Sequence, residues 1–505
     1  MLSISSGKSN LTFKKKIHRF QGTDGTLEFI KHEMQDTVVV HFDPDIDGEI
    51  SGLLVCKFLN MIGKKFQWFL NENRAHGWGI PLEKISGKDV IAVDFLIQPS
   101  TVVELIDAGV NLVSIDHHVN VENFIDISSD VGTRGYVINN QYPFEEESSR
   151  YLSGAGVVFE VICNLLPEFD TPENRALVGI SLLSDVRNIE NPYARYYLKE
   201  LYEHKYKGVI KYLIKNTMGE IDYKFGVPRM DRNFVDYTFS PVINSLLRFN
   251  MGTMVTEFFL GSGYIDTSYH KLQKDLVAKI QKSCKVVTFS NLIVCYFMEK
   301  DLLDEHGEIA LQVDGGFRYF KPDILSNFVG LVASQNLDGK RSCICYMIGE
   351  EGNKRYLKRA SMRGNQNGAD YRSALLERIN GVGHPSAFGI KKMNPKKELF
   401  QWANRVCMEI DKSAKGKNII DCNNLSFFMS NKGKTIAYEN MFHLTQNMVY
   451  LRYTGSNIKR KRSGANYIEY NVDGIPVMCF DKDLTFETGI ISIMMERSVP
   501  CLYLQ

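Results

Sequence analysis

Residues 37–48 read TVVVHFDPDIDG. The first six residues form an apolar run rich in β-branched side chains, which is typical of a buried strand. Asp43, Asp45 and Asp47 follow this run at alternate positions. Because three carboxylates in one turn repel one another unless cations neutralise them, the stretch predicts a metal site at the end of a buried strand.

The runs that follow alternate between helical and strand-like patterns. Residues 51–63 and 99–109 have helical spacing, whereas residues 65–70, 89–95 and 111–116 are strand-like. Strands that alternate with helices predict βαβ units and a parallel sheet, and therefore an α/β fold.

More acidic and histidine side chains follow the later elements. Asp94 ends the run AVD, Asp116, His117 and His118 end the run SIDHH, and Asp185 follows the helical run ISLLS. Open α/β sheets build their sites where the carboxyl ends of parallel strands meet. Each motif alone is also compatible with a solvated loop, a helix cap or a surface histidine. Their repetition favours a cation site, and oxygen ligands mixed with imidazole suit manganese or magnesium.

A calcium-binding EF-hand loop is the alternative reading of the first cluster. Asp43, Asp45, Asp47 and Gly48 match the start of that loop. Position 12 of the loop requires a bidentate glutamate, but the chain has Leu54 there, and a strand rather than a helix precedes it. The EF-hand reading is therefore rejected.

Taken together, these motifs resemble those of the DHH phosphoesterase family. The four that carry the resemblance are HFDPDIDG (41–48), AVDF (92–95), IDHH (115–118) and LLSDV (182–186). Four further segments are similar to the RecJ-like exonuclease branch: GWGIP (77–81), LSGAGVVFEV (152–161), FSPVINSLLRF (239–249) and GVGHPSAFG (381–389). The similarity extends over roughly residues 26 to 400.

The resemblance implies a site for two divalent metal ions, Mn²⁺ in preference to Mg²⁺, that activates water for phosphodiester hydrolysis. Its implied ligands are His41, Asp43 and Asp94 for one ion and Asp45, Asp94, His117 and Asp185 for the other, with Asp94 bridging.

Three residues would form the catalytic set, namely Asp94, Asp116 and His118. His118 would face the scissile phosphate, while Asp116 and Asp47 would orient loops and ligands. Structural capping is the alternative role for these two acids.

A second α/β domain is expected from about residue 323, and its Gly-rich segment at residues 381–384 reads as a turn with accessible backbone amides. The segment resembles the DHH-associated C-terminal domain, which implies that Arg363, Gly383 and His384, together with His118, bind substrate phosphates. A surface arginine is the alternative for Arg363.

Charge is distributed unevenly, although the net charge is only +1. Between Lys391 and Arg462 there are 15 Lys or Arg residues against 5 Asp or Glu, a net charge of +10. Aromatic residues interleaved with cations are suited to single-stranded nucleic acid. The predicted nucleic-acid surface is Tyr453, Lys459, Arg460, Lys461 and Arg462, with a solvated basic loop as the alternative.

The expected organisation has five parts. These are a basic N-terminal tail (1–25), a parallel-sheet DHH catalytic domain (26–215), a helical linker region (216–300), an α/β DHH-associated phosphate-binding domain (301–400) and a small, mainly β, OB-like nucleic-acid-binding domain (401–505). Ten cysteines without a Cys-x-x-Cys pair favour reduced core thiols over a zinc site.

The expected function is that of a hydrolase, a RecJ-like exonuclease that degrades single-stranded DNA, with 5′ to 3′ polarity implied by the resemblance alone. RNA is the alternative polymer substrate. Replication or repair proteins are candidate partners, and the protein itself is expected to be a monomer. Two other functions stay open: a phosphodiesterase of short oligonucleotides or cyclic dinucleotides, and a non-catalytic nucleic-acid-binding scaffold. No apolar run reaches the roughly 18 residues of a membrane span, and the expected location is the cytoplasm of a bacterial or phage-infected cell.

Overall fold

The protein has 505 residues. The computed structural model describes residues 17–71, 77–118, 135–185, 196–198, 200–201, 208–217, 235–338, 340–352, 354–365, 369–384 and 386–418, and six short strands between residues 436 and 503.

The first sheet has five parallel strands. They are β1 (Thr37–Phe42), β2 (Lys65–Phe69), β3 (Asp89–Val93), β4 (Asn111–Asp116) and β5 (Gly135–Asn139), in the order β2-β1-β3-β4-β5. Every residue of β3 is buried, as expected for a strand covered on both faces. The predicted parallel sheet is therefore confirmed.

Helices cover this sheet. They are α1 (Thr26–Glu28), which continues into a wider turn at Phe29–Glu33, then α2 (Ile46–Met61), α3 (Leu82–Ile85), α4 (Pro99–Asp107), α5 (Gly154–Leu165) and α6 (Pro172–Ser184). Single turns of 3₁₀ helix occur at Glu147–Tyr151 and Pro167–Phe169. The Asp45 carboxylate starts α2 by accepting a hydrogen bond from the Gly48 amide at 3.0 Å.

The linker region is helical. It contains α7 (Gly208–Thr217), a turn at Val235–Phe239, α8 (Ser240–Arg248), α9 (Gly252–Phe259) and α10 (Ser268–Ser283). The main hydrophobic core joins these helices to the first sheet and continues to one face of the second sheet.

A mixed sheet follows. The strands in chain order are β6 (Lys285–Thr288), β7 (Leu292–Met298), the separate hairpin β8 (Ile309–Val313) and β9 (Gly316–Phe320), then β10 (Ser342–Glu351), β11 (Lys354–Arg363), β12 (Asn380–His384) and β13 (Ala387–Lys392). The sheet order is β12-β13-β11-β10-β7-β6, with only β7 and β10 parallel. Its helices are α11 (Val329–Gln335) and α12 (Tyr371–Leu375), with 3₁₀ turns at Glu299–Leu302 and Pro322–Asn327.

The structure corrects one local prediction in this sheet. Residues 381–384 do not form a turn, because they lie in β12, where Gly383 is paired with Phe388 of β13. A Cβ atom at Gly381 would lie 2.3 Å from the Phe388 ring, so the glycine allows two strands to approach rather than a turn to form. The domain boundaries stay a prediction, although β6 and β7 of this sheet precede residue 301.

The C-terminal part begins with α13 (Lys397–Asn418). Six strands follow: β14 (Ile436–Glu439), β15 (Met448–Leu451), β16 (Ile458–Ser463), β17 (Tyr467–Val472), β18 (Ile475–Phe480) and β19 (Cys501–Tyr503). They form one sheet in the order β15-β14-β19-β18-β17-β16, and the OB-like comparison stays a prediction. Lys459, Arg460, Lys461 and Arg462 lie on the edge strand β16, whereas Tyr453 lies outside the described residues.

None of the helices in the described part of the chain combines the length and the hydrophobicity that crossing a membrane requires.

Candidate metal centre

The predicted acidic and histidine residues meet at the carboxyl edge of the first sheet. His41 is the fifth residue of β1, Asp94 follows β3, and Asp116 ends β4. All three are at least 97% buried. Ionisable groups are rarely buried to this extent without a partner, so this edge of the sheet is the place where a cation is expected.

The environment of His41 fixes which nitrogen carries its proton. Its Nδ1 atom lies 3.1 Å from the backbone carbonyl of Phe69, and a carbonyl can only accept, so Nδ1 is the donor. Burial lowers the pKa of His41 to about 4, which keeps the ring neutral. The buried Nε2 atom has no hydrogen-bond partner among the described residues, so its lone pair is available to a metal ion.

Asp94 has an unusual backbone conformation. Its φ angle is +65°, a region that residues other than glycine rarely adopt, and its amide donates to the Ile115 carbonyl at 3.0 Å. Burial raises the pKa of Asp94 well above its ordinary value, and the carboxylates of Asp47, Asp45, Asp43 and Asp185 raise it further. Four carboxylates therefore lie within electrostatic reach of Asp94, and such a concentration of negative charge is what divalent cations neutralise.

His117 lies between the acids. Its Nε2 atom is 3.1 Å from Asp94 Oδ1 and 3.7 Å from Asp47 Oδ2, while its Nδ1 atom is 3.9 Å from Asp185 Oδ2. Two compact groups of possible ligands result, each with donor atoms within 4.8 Å of one another. One is Asp94, Asp116, His117 and His118, and the other is Asp47, His117 and Asp185.

These groups do not coincide with the two predicted ligand sets. His117 lies close to both Asp94 and Asp185, as the second predicted set requires. His41, Asp43 and Asp45 belong to neither compact group among the described residues. The assignment of ligands to individual ions therefore stays a prediction.

Asp116 and His118 form a close pair. His118 Nδ1 lies 2.7 Å from Asp116 Oδ1, and the His118 side chain is 43% exposed, whereas that of Asp116 is 5% exposed. Burial opposes the charge on each group, but the pairing outweighs it, so the pKa of Asp116 is lowered and the pKa of His118 is raised. The pair presents a cation to solvent next to the acids.

Asp47 holds the first turn of α5. Its two oxygens accept hydrogen bonds from the amides of Gly154 at 2.8 Å and Ala155 at 2.9 Å, and Ser181 donates to Oδ1 at 2.5 Å. Burial and the carboxylates of Asp185 and Asp45 raise the pKa of Asp47 to about 7. These contacts agree with an orienting role, because they dock α5 and α6 onto α2.

The donor set fits divalent metal ions. Besides His41 Nε2, the buried Asp116 Oδ2 atom has no hydrogen-bond partner among the described residues, and the buried Asp94 Oδ1 atom has none of good geometry there, although His117 Nε2 lies 3.1 Å away. Each such atom would be costly in a dry interior unless a cation satisfied it. Carboxylate oxygens with imidazole nitrogen are ligands for manganese and magnesium, whereas thiolates, which copper(I) prefers, are absent from both compact groups found in the described residues.

The predicted phosphate-binding residues Arg363, Gly383 and His384 lie in the second sheet. Arg363, at the end of β11, donates to the hydroxyls of Ser334 at 3.2 Å and Ser361 at 2.8 Å, and to the Met362 carbonyl at 2.8 Å. Gly383 lies in β12, where its carbonyl accepts a hydrogen bond from Arg372 at 2.6 Å. His384 ends that strand. A role of these residues in phosphate binding stays a prediction.

Sequence reasoning missed three residues that shape the centre. The Gly77 amide donates to Asp43 Oδ1 at 3.1 Å, Ser181 binds Asp47, and a Cβ atom at Gly154 would lie 2.1 Å from Asp94 Oδ1. Ser181 lies in α6 and precedes Asp185, which caps the C-terminal end of this helix, by four residues, so both lie on the same side of the helix end. That spacing was the available signal, whereas the other two contacts arise from tertiary packing.

Comparison with known proteins assigns part of the chain to a family. Residues 37–183 match the DHH family, N-terminal domain. No curated protein sequence matches the chain. Among solved structures, an exonuclease RecJ bound to manganese is 17% identical, with a TM-score of 0.50, and the match covers 79% of this chain and 96% of that one.

A second solved structure, RecJ in complex with Mn²⁺ from Thermus thermophilus, is 15% identical. Its TM-score is 0.53, and the match covers 94% of this chain and 68% of that chain. At such low identity these likenesses concern the fold. The chain therefore contains a DHH-family N-terminal domain at residues 37–183 and has a RecJ-like fold.

Proposed function

We propose that the protein is a metal-dependent phosphodiesterase that degrades single-stranded DNA as an exonuclease, in the 5′ to 3′ direction. The observation that carries the proposal is the group of buried, closely spaced donor atoms at the carboxyl edge of the first sheet. This edge belongs to the DHH-family segment, and both RecJ structures similar in fold are described as manganese-bound.

Two divalent ions, manganese in preference to magnesium, would be held by His41, Asp43 and Asp94 and by Asp45, Asp94, His117 and Asp185. When bound, such ions activate a water molecule and stabilise the attacking and leaving oxygens of a phosphodiester. The predicted ligand residues lie at or next to the ends of three neighbouring strands and two helices, so elements packed in the core fix their positions.

Residues beside the ligands would handle the substrate. Asp116 keeps His118 oriented and favours its charged form, so His118 can donate a hydrogen bond to a phosphate oxygen. Arg363, Gly383 and His384 would hold a second phosphate. The run Lys459–Arg462 on edge strand β16 would contact the nucleic-acid backbone, and Tyr453 would stack on a base.

Metal binding should stabilise the protein. Because the donor atoms face one another in the folded state only, Mn²⁺ at about 100 times its dissociation constant should add about 2.7 kcal/mol to the free energy of unfolding. We expect the melting temperature to rise by several degrees in Mn²⁺, and at higher concentration in Mg²⁺, relative to EDTA. Differential scanning fluorimetry measures this, and equal melting temperatures in EDTA and in both metals would argue against a metal centre.

The activity itself is tested with labelled substrates. Wild-type protein with Mn²⁺ is incubated with 5′- and 3′-labelled single-stranded DNA and RNA, and separately with short oligonucleotides and a cyclic dinucleotide. We expect stepwise release of nucleotides from DNA, beginning at the 5′ end, and loss of this activity in EDTA.

Other products would identify the alternatives. If dinucleotides are cleaved but no nucleotide is released from any polymer, the protein is a phosphodiesterase of small substrates rather than an exonuclease. Binding of DNA without cleavage of any substrate in Mn²⁺ would leave only the scaffold function. Preference for RNA would keep the chemistry and change the substrate.

A further inference from the structure

A turn beside the metal centre has no role in the functions described so far. It spans residues 140–146, NQYPFEE, and follows β5. Asn139, the last residue of β5, is the Cα partner of Asp116 on β4, and its side chain donates to the His118 carbonyl at 3.1 Å. The turn therefore leaves the sheet directly beside the Asp116–His118 pair.

Two aromatic rings project from this turn. The ring centroids of Tyr142 and Phe144 lie 5.2 Å apart, and Phe144 is 60% exposed, while Tyr142 is half-buried. Burial and then the Asp116 carboxylate raise the pKa of Tyr142 to about 12, which places this ring within the electrostatic reach of the centre. A pair of rings thus extends from the edge of the centre into solvent.

The turn is firmly braced, so Phe144 is held in its exposed position. Arg150 donates to the carbonyls of Tyr142 at 3.4 Å and Pro143 at 3.3 Å, and Gln141 donates to the Arg150 carbonyl at 3.1 Å. The Glu145 amide donates to the Tyr142 carbonyl at 3.0 Å. An exposed ring that is already ordered loses little conformational entropy when a flat ligand stacks on it.

We propose that Tyr142 and Phe144 form a stacking platform for the nucleobase next to the phosphodiester that is cut. This inference rests on the proposed nuclease function and adds the part of the substrate that the turn would recognise. Every nucleobase has a π-face, so stacking selects polynucleotides over other phosphate esters without reading sequence.

The charges on the turn favour a base over a phosphate. The side chains of the turn that are charged at neutral pH are the carboxylates of Glu145 and Glu146, and the Arg150 guanidinium that reaches the turn already donates to two of its carbonyls. Phosphates would be repelled here, whereas an uncharged base would not. The turn would therefore bind the base, and the metal centre would bind the phosphate.

The test uses single-stranded oligonucleotides that carry 2-aminopurine, a fluorescent base, at the 5′ or 3′ terminal position, with phosphorothioate linkages to suppress cleavage. Stacking on an aromatic ring quenches 2-aminopurine. With Mn²⁺ we expect Phe144→Ala to bind about 10-fold more weakly than wild type and to lose most of the quenching, a change equivalent to about 1.4 kcal/mol. Phe144→Trp should restore both.

Phe317→Ala is the matched control, because Phe317 is 59% exposed and lies on the β8–β9 hairpin. It should bind like wild type. An oligonucleotide with an abasic terminal residue should remove the difference between wild type and Phe144→Ala. Melting temperatures of the variants should equal that of wild type, because the substituted side chains are exposed.

The outcomes separate this inference from the proposed activity. If Phe144→Ala binds and quenches like wild type while wild type degrades natural DNA, the platform is wrong and the exonuclease stands. If quenching depends on Phe144 but no natural strand is cut, the rings bind a base, but the exonuclease and the platform's position beside the cut phosphodiester are both overturned. Equal losses in Phe144→Ala and Phe317→Ala would also overturn the platform.

Discussion

Replacement of Asp94 by asparagine should reduce kcat/KM on single-stranded DNA at least about 1,000-fold, which corresponds to about 4 kcal/mol of transition-state stabilisation. Asp94 is the predicted bridging ligand, and its buried Oδ1 atom lies 3.1 Å from Nε2 of His117, another predicted ligand. Asparagine has nearly the same shape but lacks the charge, so the loss would report on cation binding rather than on packing.

The same substitution should stabilise the metal-free protein. Burial and four neighbouring carboxylates raise the pKa of Asp94 in the folded state, whereas the unfolded chain has the ordinary value. Folded protein therefore binds the additional proton, and stability falls as pH rises from the unfolded pKa near 4 towards the raised folded value. Asparagine has no such penalty.

We therefore expect the melting temperature of Asp94→Asn in EDTA to exceed that of wild type, by a margin that grows from pH 4 upwards. In Mn²⁺ the order should reverse, because only wild type gains the stabilisation of bound metal. Wild-type activity in Asp94→Asn would exclude the proposed ligand role. A lower melting temperature of the variant in EDTA at all pH values would exclude mutual repulsion of the carboxylates.

Part of the metal centre could be predicted from the amino-acid sequence. Alternation of strands and helices predicted that Asp94 and Asp116 would follow parallel strands, and both do. Strand ends share an edge in any parallel sheet, so the meeting of these residues depends on local pattern and topology alone. This part of the site follows from short-range information.

The remaining features depend on tertiary contacts. The docking of α5 on Asp47 joins residues 107 positions apart, and the left-handed backbone of Asp94 accompanies a hydrogen bond from its amide to the Ile115 carbonyl on the next strand. No periodicity encodes either feature. Residues 381–384 were predicted as a turn because glycines are typical of turns, but here they allow close contact between β12 and β13. Glycine thus marks two different structures that sequence alone does not distinguish.

The second large effect is expected from a substitution at Gly154. It is the first residue of α5, its amide donates to Asp47 Oδ2 at 2.8 Å, and its Cα faces Asp94. A methyl group at this position would lie 2.1 Å from Asp94 Oδ1 and 2.6 Å from Asp94 Cγ, far inside van der Waals contact. The helix cannot retreat without losing its hydrogen bonds to Asp47, and Asp94 already has a left-handed backbone conformation.

We therefore expect Gly154→Ala to displace the Asp94 carboxylate. A ligand moved by about 1 Å should reduce kcat/KM about 100-fold, and the overpacking should lower the free energy of unfolding by about 1 to 3 kcal/mol. Activity assays across a Mn²⁺ titration and denaturant unfolding in EDTA measure the two effects. Because the metal site itself is distorted, we expect the Mn²⁺ concentration for half-maximal activity to rise as well.

Gly156→Ala is the matched control on the same helix turn. Its added methyl would lie 3.1 Å from Leu152 Cβ and 3.2 Å from Leu152 Cδ2, so Leu152 would have to move by a few tenths of an ångström, and none of its three nearest atoms belongs to a predicted ligand. Alanine is also the better helix former. Activity should stay close to wild type in this variant and fall in Gly154→Ala. Equal activity in both variants would mean that the contact between α5 and Asp94 does not position the carboxylate, and equal losses would indicate that the helix, rather than Asp94, is the sensitive element.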